Sequence, residues 1–494
     1  MTQGKTTTLA VIFLLIASFV RLWNLEWNPA WYADEGTHIE IARHLIQGEN
    51  YYLGITDSYL IAARLPLFEH LLALWFQFIG VSMLSLRILT ALIGILSTAL
   101  LYHVVASTSG NNRFALMTMG LFAIYPQAVI YSRFGFSYNL LTIFILIGLW
   151  TLHRYQQAPK LKYLIATCLI FGLGTISDFV AFSLLPPLLL LIIKIRPKHI
   201  VIALIALGAP FTIYALLELH HHPDIFLYDL TYTLSRTGGI SLSVQIENII
   251  KNMQVLLTET WWIPVGVIGF IWIQPRHFRW TVALFTLTPV IVIGRTAALY
   301  NLSAYYMIPL LPFVAIGISA IINYGLPQVL RTLSLSVVVS RRISIGLFII
   351  LFSVSSWHIT SDSQYGFKIG IEHFLINADE AYQIQSVLAD YAKSEDVIIS
   401  SPTFAWMVDA NVTDYQLSSL SQQINGVFFP ADLYPDRLAF EVDYVQADYA
   451  IIDTLWRDWG TVHMPTVANM LTAIQQWELI LQTDTIQVYH NPSK

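Results

Sequence analysis

The chain has 494 residues, 56% of them hydrophobic and only 12% charged, with a formal net charge of −5. Apolar content this high excludes an ordinary soluble domain. A single cysteine, Cys168, excludes an internal disulfide.

In chain order, the first apolar run is 9–23. It has no small-residue cleavage site and further spans follow, so it reads as a signal-anchor. Further runs near 84–106, 113–132, 138–153, 161–177, 179–194, 199–217, 259–274, 279–294, 304–324 and 343–357 bring the expected spans to about eleven. A span needs roughly 20 apolar residues. Residues 66–80 are shorter, begin at Pro66 and end at Gly80, which predicts an interfacial helix.

Charge placement supports that choice. If 66–80 does not cross, Lys5, Arg113, Arg154, Lys160, Lys162, Lys194, Arg196, Lys198, Arg276, Arg279, Arg331, Arg341 and Arg342 all fall in cytoplasmic loops. The N-terminus is then cytoplasmic. A first loop, 24–83, a second loop, 218–258, and the C-terminal part, 358–494, lie outside. The expected organisation is a transmembrane domain over 1–357 and a small extracytoplasmic α/β domain over 358–494. That last segment holds 18 acidic and 5 basic residues. An amphipathic helix is expected at 379–393. Strands are expected at 397–400, 449–453, 478–482 and 485–490, the last two joined by a turn at Thr483-Asp484.

The first loop is the richest in chemistry. From Glu35 to Gln47, Ile39, Ala42, Leu45 and Ile46 share one helical face, Glu40, Arg43, His44 and Gln47 the other, and Gly48 stops the helix. Asp34 reads two ways, as the helix N-cap or as a general base taking a proton from an attacking hydroxyl. Outside arginines, namely Arg64, Arg87, Arg133, Arg236 and Arg295, offer planar donor forks for a phosphate, or snorkel to headgroups. Three successive histidines, His220 to His222, do not share a helical face as metal ligands would, so a solvated loop is expected, with His222 retained as a candidate cavity residue. Trp261-Trp262 reads as an interfacial belt. Asn301-Leu302-Ser303 and Asn411-Val412-Thr413 match the N-glycosylation pattern. No phosphate-binding glycine loop supports a nucleotide-sugar donor, and nothing points to nucleic acid.

The stretch Ala33-Asp34-Glu35 followed by Ile39-Glu40-Ile41-Ala42-Arg43 resembles the first-loop motif of GT-C membrane glycosyltransferases. The resemblance is to the protein O-mannosyltransferase and lipid A aminoarabinose transferase branch. It continues through Arg64-Leu65-Pro66-Leu67, Phe78-Ile79-Gly80-Val81-Ser82, Ser85-Leu86-Arg87 and Tyr131-Ser132-Arg133-Phe134. It implies an inverting transferase that moves a hexose or pentose from a polyprenyl-phosphate donor to an acceptor hydroxyl on a protein, lipid or glycan at the outer face of the plasma membrane. Asp34 then matches the catalytic aspartate and Glu35 the adjoining acid that orients or assists. Arg64, and second Arg133, would receive the leaving phosphate. Where many relatives carry a further Asp, Tyr138 or Asn139 stands here, so a metal-binding carboxylate is missing and no metal site is assigned. Asp178 stands at a span end, as a cap or as a spatial substitute for that Asp. The alternatives are a lipid or glycan transporter or flippase, and a scaffold whose external part binds a partner. Neither midplane ionisable residues nor repeated interrupted helices support transport.

Overall fold

The computed structural model describes residues 3–57, 60–236, 240–259, 262–296, 301–361, 374–420, 429–430 and 432–494. Its contacts divide the chain into two units. One comprises Met1–Trp23, Thr90–Leu216 and Gly239–Ile369; the other comprises Asn24–Leu89, Leu217–Gly238 and Gly370–Lys494. This division groups much of both loops with the C-terminal chain.

The first unit is helical. Each expected span falls on helix, but among the described residues six helices are long and apolar enough to cross by length and composition, or up to eight if each broken pair is one span, against the eleven expected. Those six are Gly4–Leu22, Met83–Ser109, Pro197–His221, Arg276–Gly294, Tyr305–Thr332 and Val337–Ser356. The shortfall has local causes. Pro126 breaks the helix of 113–132 into Asn112–Ala123 and Pro126–Arg133, bent by 56°. Leu161–Thr175 has 15 residues, about 22 Å of helix, less than the roughly 30 Å hydrocarbon layer. The run 179–194 starts as a 3-10 helix, Phe179–Leu184, before Leu185–Ile195. Tight packing comes from small residues: a Cβ on Gly317 would stand 1.8 Å from the Gly266 carbonyl oxygen, so only glycine lets these two backbones meet.

The second unit is mixed. In the first loop, β1 (Tyr51–Tyr52) and β2 (Ile55–Thr56) form a hairpin. Its turn residues Leu53 and Gly54 both have positive φ, 51° and 96°. The predicted interfacial helix is Pro66–Ile79, with Pro66 in its first turn and Gly80 closing it. Phe68, Leu72 and Phe76 are buried, while Leu74, Phe78 and Ile79 are exposed.

The C-terminal chain opens with the helix Ala378–Tyr391. It then builds a five-stranded sheet in the order β4 (Asn411–Thr413), β3 (Val397–Ile399), β5 (Tyr449–Ile452), β7 (Gln487–His490), β6 (Glu478–Gln482). β3 runs parallel to β4 and β5; β7 is antiparallel to β5 and β6. Four of the strands lie where the sequence pattern placed them. β4 was not expected, because it is three residues long and its burial is set by neighbours. Tyr415, Trp456, Val467, Met470 and Ile474 pack beneath the sheet with Ile399 and Ile452.

Candidate active site

The first-loop helix runs from Ala33 to Gln47 and ends at Gly48, whose left-handed φ of 85° lets its N–H return to the Leu45 carbonyl. Its N-cap is Tyr32, not Asp34. The N-cap reading of Asp34 is thereby corrected. The backbone N–H of Tyr32 donates to Glu35 Oε2 at 3.1 Å, so the neighbouring acid is the one that braces the helix start. Asp34 sits in the first turn, where a carboxylate meets the positive end of the helix.

The two adjacent acids have different surroundings. Glu35 is fully buried and pairs with the fully buried Arg87, Nε to Oε1 at 2.8 Å and Nη2 to Oε2 at 2.6 Å. The other Arg87 donors reach the carbonyls of Leu25, Pro29 and Ala30 at 3.1, 2.6 and 3.1 Å. Arg87 is therefore engaged inside the protein and is not placed for a phosphate, and both Glu35 oxygens are occupied. Asp34 keeps 29% of its side chain exposed and lies 3.3 Å from Arg64 Nη2. Just before Arg64, Ala63 holds a left-handed φ of 58°, a strain of about 1–2 kcal/mol for a residue with a Cβ.

One turn further along the same face, His38 Nδ1 meets Glu69 Oε1 at 2.7 Å, both side chains buried. Glu69 belongs to the first turn of the Pro66–Ile79 helix. The Asp34–Arg64 ion pair and the buried His38–Glu69 hydrogen bond thus tie the first-loop helix to the segment from Arg64 to Glu69. Gly36 explains how the helix is seated: a Cβ there would lie 2.0 Å from the Pro402 carbonyl oxygen. The third residue of Asp34-Glu35-Gly36 is the point where the C-terminal chain lies against the first-loop helix.

At the far end of this helix is a cavity of about 750 Å³, lined by Tyr51, Thr56, Asp57, Glu49, His70 and His222 among others. His222 therefore lies on a cavity wall that also includes Leu45 and Gly48, at the end of the first-loop helix away from Asp34. Beside it, His44 stacks on Tyr51 with ring centroids 4.2 Å apart and bridges Glu40 and Glu49 at 3.1 and 3.0 Å. Burial, helped by Glu40, pushes the Tyr51 hydroxyl well above the ordinary phenol range. The rings of His220, His221 and His222 touch one another in sequence. Among the described residues no group of three or more His, Cys, Asp or Glu is arranged to hold a metal.

The other sequence candidates lie in the helical unit. Arg133 is buried at the end of Pro126–Arg133, and its Nη1 donates to the Val20 carbonyl at 2.8 Å. Tyr138 stacks on Tyr305 at 5.2 Å and meets Tyr306 edge-on at 5.4 Å. Asn139 is turned inward; its amide donates to the carbonyls of Tyr131 and Phe136 at 3.0 and 3.1 Å. This braces the turn between two helices. Asp178 caps the 3-10 helix Phe179–Leu184 through Val180 N–H at 2.8 Å, and also accepts from Ser137 Oγ at 3.1 Å. It therefore reaches Ser137, the residue before Tyr138 and Asn139. Arg295 stays exposed, its Nε bonded to the Val292 carbonyl. Trp261 lies outside the described residues, as do the side chains of Asn301, Leu302 and Ser303; Trp262 stacks on Tyr125 at 4.8 Å.

Sequence reasoning missed Glu69 and the buried pair of Asp229 with Arg437, Nη1 to Oδ1 3.0 Å and Nη2 to Oδ2 3.1 Å. The only available signal was a charge inside an otherwise apolar stretch, as at Glu69.

Comparison with known proteins agrees with this architecture. Residues 63–218 match the family model described as dolichyl-phosphate-mannose-protein mannosyltransferase. An uncharacterized protein of Aquifex aeolicus (strain VF5) is 22% identical over 156 residues, 32% of this chain and 31% of that protein's length. The crystal structure of ArnT from Cupriavidus metallidurans bound to undecaprenyl phosphate matches with a TM-score of 0.63 at 14% identity, over 100% of this chain and 99% of that one. The apo state of the same enzyme matches with a TM-score of 0.63 at 13% identity, over 99% and 98%. The chain has several helices long and apolar enough to cross a membrane, shares its overall fold with ArnT, and over residues 63–218 resembles the dolichyl-phosphate-mannose-protein mannosyltransferase family.

Proposed function

We propose that the protein is an inverting glycosyltransferase, moving a hexose or pentose from a polyprenyl-phosphate donor to an acceptor hydroxyl at the outer face of the membrane. The observation that carries this reading is the pairing of Asp34, the solvent-reached member of the acid pair, with the Arg64 guanidinium at 3.3 Å. The family match over 63–218 and the ArnT structure bound to undecaprenyl phosphate support the donor class.

In this mechanism the donor phosphate engages Arg64, drawing the guanidinium from Asp34. The released carboxylate takes the proton from the acceptor O–H as the oxygen attacks the anomeric carbon. The bond from that carbon to the phosphate oxygen breaks on the opposite face, giving inversion, and polyprenyl phosphate leaves with its charge held by arginine. Glu35 positions Asp34 through the helix start and does not itself touch substrate. Arg133 and Tyr138 are the helical unit's candidates for donor contact, and His222 is a candidate acceptor contact. The N-terminus is cytoplasmic in this reading and the C-terminal chain external.

The test is sugar transfer by the purified protein from a synthetic polyprenyl-phosphate sugar. Wild type forms product and Asp34→Asn does not. Full activity in Asp34→Asn removes the aspartate from the mechanism, and donor translocation without any transfer product replaces the reading with transport.

A further inference from the structure

A second site lies within the helical unit, at span ends that the charge pattern assigns to the cytoplasmic side. A cavity of about 460 Å³ is lined by Trp272, Gln274, Arg279, Asn323, Tyr324, Gln328 and Arg331, among others. That size suits a small ligand or a headgroup. No acidic residue lines it. We propose that this cavity binds a phosphate anion, carried either by a membrane phospholipid headgroup or by a soluble phosphorylated compound, between the Arg279 and Arg331 guanidinium groups.

Three observations support this assignment. First, the described partner of each guanidinium is one carbonyl in its own vicinity, Ile273 for Arg279 at 3.2 Å and Pro327 for Arg331 at 3.1 Å. Among the described residues neither meets a carboxylate, so two positive charges share one opening without internal neutralisation. Second, Arg279 lies near the start of the Arg276–Gly294 span and Arg331 next to the end of Tyr305–Thr332. Both thus stand at the ends of candidate spans, the position at which basic pockets between helices take anionic lipid headgroups. The bias of basic residues toward one side explains their presence in these loops; it does not require two of them to converge on a cavity with three side-chain amides, a phenol and an indole. Third, the wall is an interrupted helix. Ile321–Gly325 adopts a π-helical turn, a feature frequent at functional sites. Tyr324 is held there by Asn111 Nδ2 at 3.0 Å, and Trp272 lies against the Gly325 backbone. Gln274 and Arg279 also bracket the start of the Arg276–Gly294 helix, which has no side-chain cap.

The test uses full-length protein in neutral detergent, with dioctanoyl phosphatidylglycerol, dioctanoyl phosphatidylcholine and inorganic phosphate as probes. Binding is read by native mass spectrometry and by thermal shift. Phosphatidylglycerol binds and phosphatidylcholine does not. Arg279→Gln and Arg331→Gln each weaken that binding about tenfold, as expected for loss of one charge-assisted contact. Arg331 is exposed, so its variant keeps the fold even if Arg279→Gln loosens the Ile273 turn. If inorganic phosphate competes with the lipid and protects equally, the site takes a soluble phosphate; if only the lipid protects, it takes a headgroup. Equal affinity of wild type and Arg331→Gln for phosphatidylglycerol, or equal binding of phosphatidylcholine, overturns the assignment.

Discussion

Asp34 and Glu35 are adjacent in sequence, yet their surroundings assign them different work. Glu35 faces a buried guanidinium and holds a helix start; removing its charge leaves the buried Arg87 cation without a counter-charge, at a cost of about 3–5 kcal/mol. The partly exposed pair of Asp34 with Arg64 contributes roughly 0.2–1 kcal/mol to stability. Glu35→Gln should therefore lower the unfolding temperature sharply and take activity with it. Asp34→Asn should leave the unfolding temperature within a degree or two, while transfer falls by about 10²–10⁴, the usual contribution of a general base. Matched thermal melts and transfer rates check this; similar melting losses in both variants would erase the division of roles. The acid pair was legible in the sequence because carboxylates are rare in so apolar a chain. Their separate roles were not, because Arg87 is 52 residues distant from Glu35 along the chain.

Among the elements, the long helices were the easiest to read, since about 20 apolar residues leave little alternative in a membrane chain. Their breaks were less visible. Pro126 and the pair Pro186-Pro187 lie inside apolar runs, and hydropathy averages over them. The seat of the first-loop helix was hidden for a different reason: Gly36 is conspicuous only once Pro402 is beside it. Gly36→Ala should displace the helix or fail to fold, an overpacking cost of at least about 1–3 kcal/mol. Limited proteolysis of the chain after residue 374 should then be faster than in wild type, and unchanged proteolysis with unchanged transfer would contradict the contact. The short helix Tyr415–Leu420 has a pH signature. Burial pushes the Asp414 carboxyl up to about 7, although it accepts the Leu417 N–H at 2.8 Å. Between about pH 4 and 7 the native state keeps a proton that the unfolded chain has released, so stability falls as pH rises through that window, by at most about 4 kcal/mol. Asp414→Asn keeps the acceptor oxygen and removes the ionisation. Its advantage over wild type in denaturant melts should be near zero at pH 4 and largest at pH 8; a pH-independent difference would place the cause elsewhere.

For the whole chain, the C-terminal segment is not an appendage to the unit that holds the acid pair. Trp31 pairs with Ile376 through reciprocal backbone bonds of 2.7 and 2.9 Å. Arg437 joins three stretches of sequence at once: its Nη atoms grip Asp229 in the second loop, and its Nε donates to the Thr56 carbonyl in the first at 3.2 Å. Because the pair is buried, removing one partner strands a charge, whereas removing both need not. Arg437→Met and Asp229→Leu should each cost about 3–5 kcal/mol, and the double variant should recover much of that loss. Transfer activity should follow the same pattern, since the acid pair has not been touched. If each single variant retains full stability and activity, Arg437 does not tie the loops. It also follows that deleting the chain from residue 370 onward should abolish transfer to every acceptor alike, through loss of the first-loop fold. A deletion that only changed acceptor preference would show that the first loop folds without its C-terminal partner.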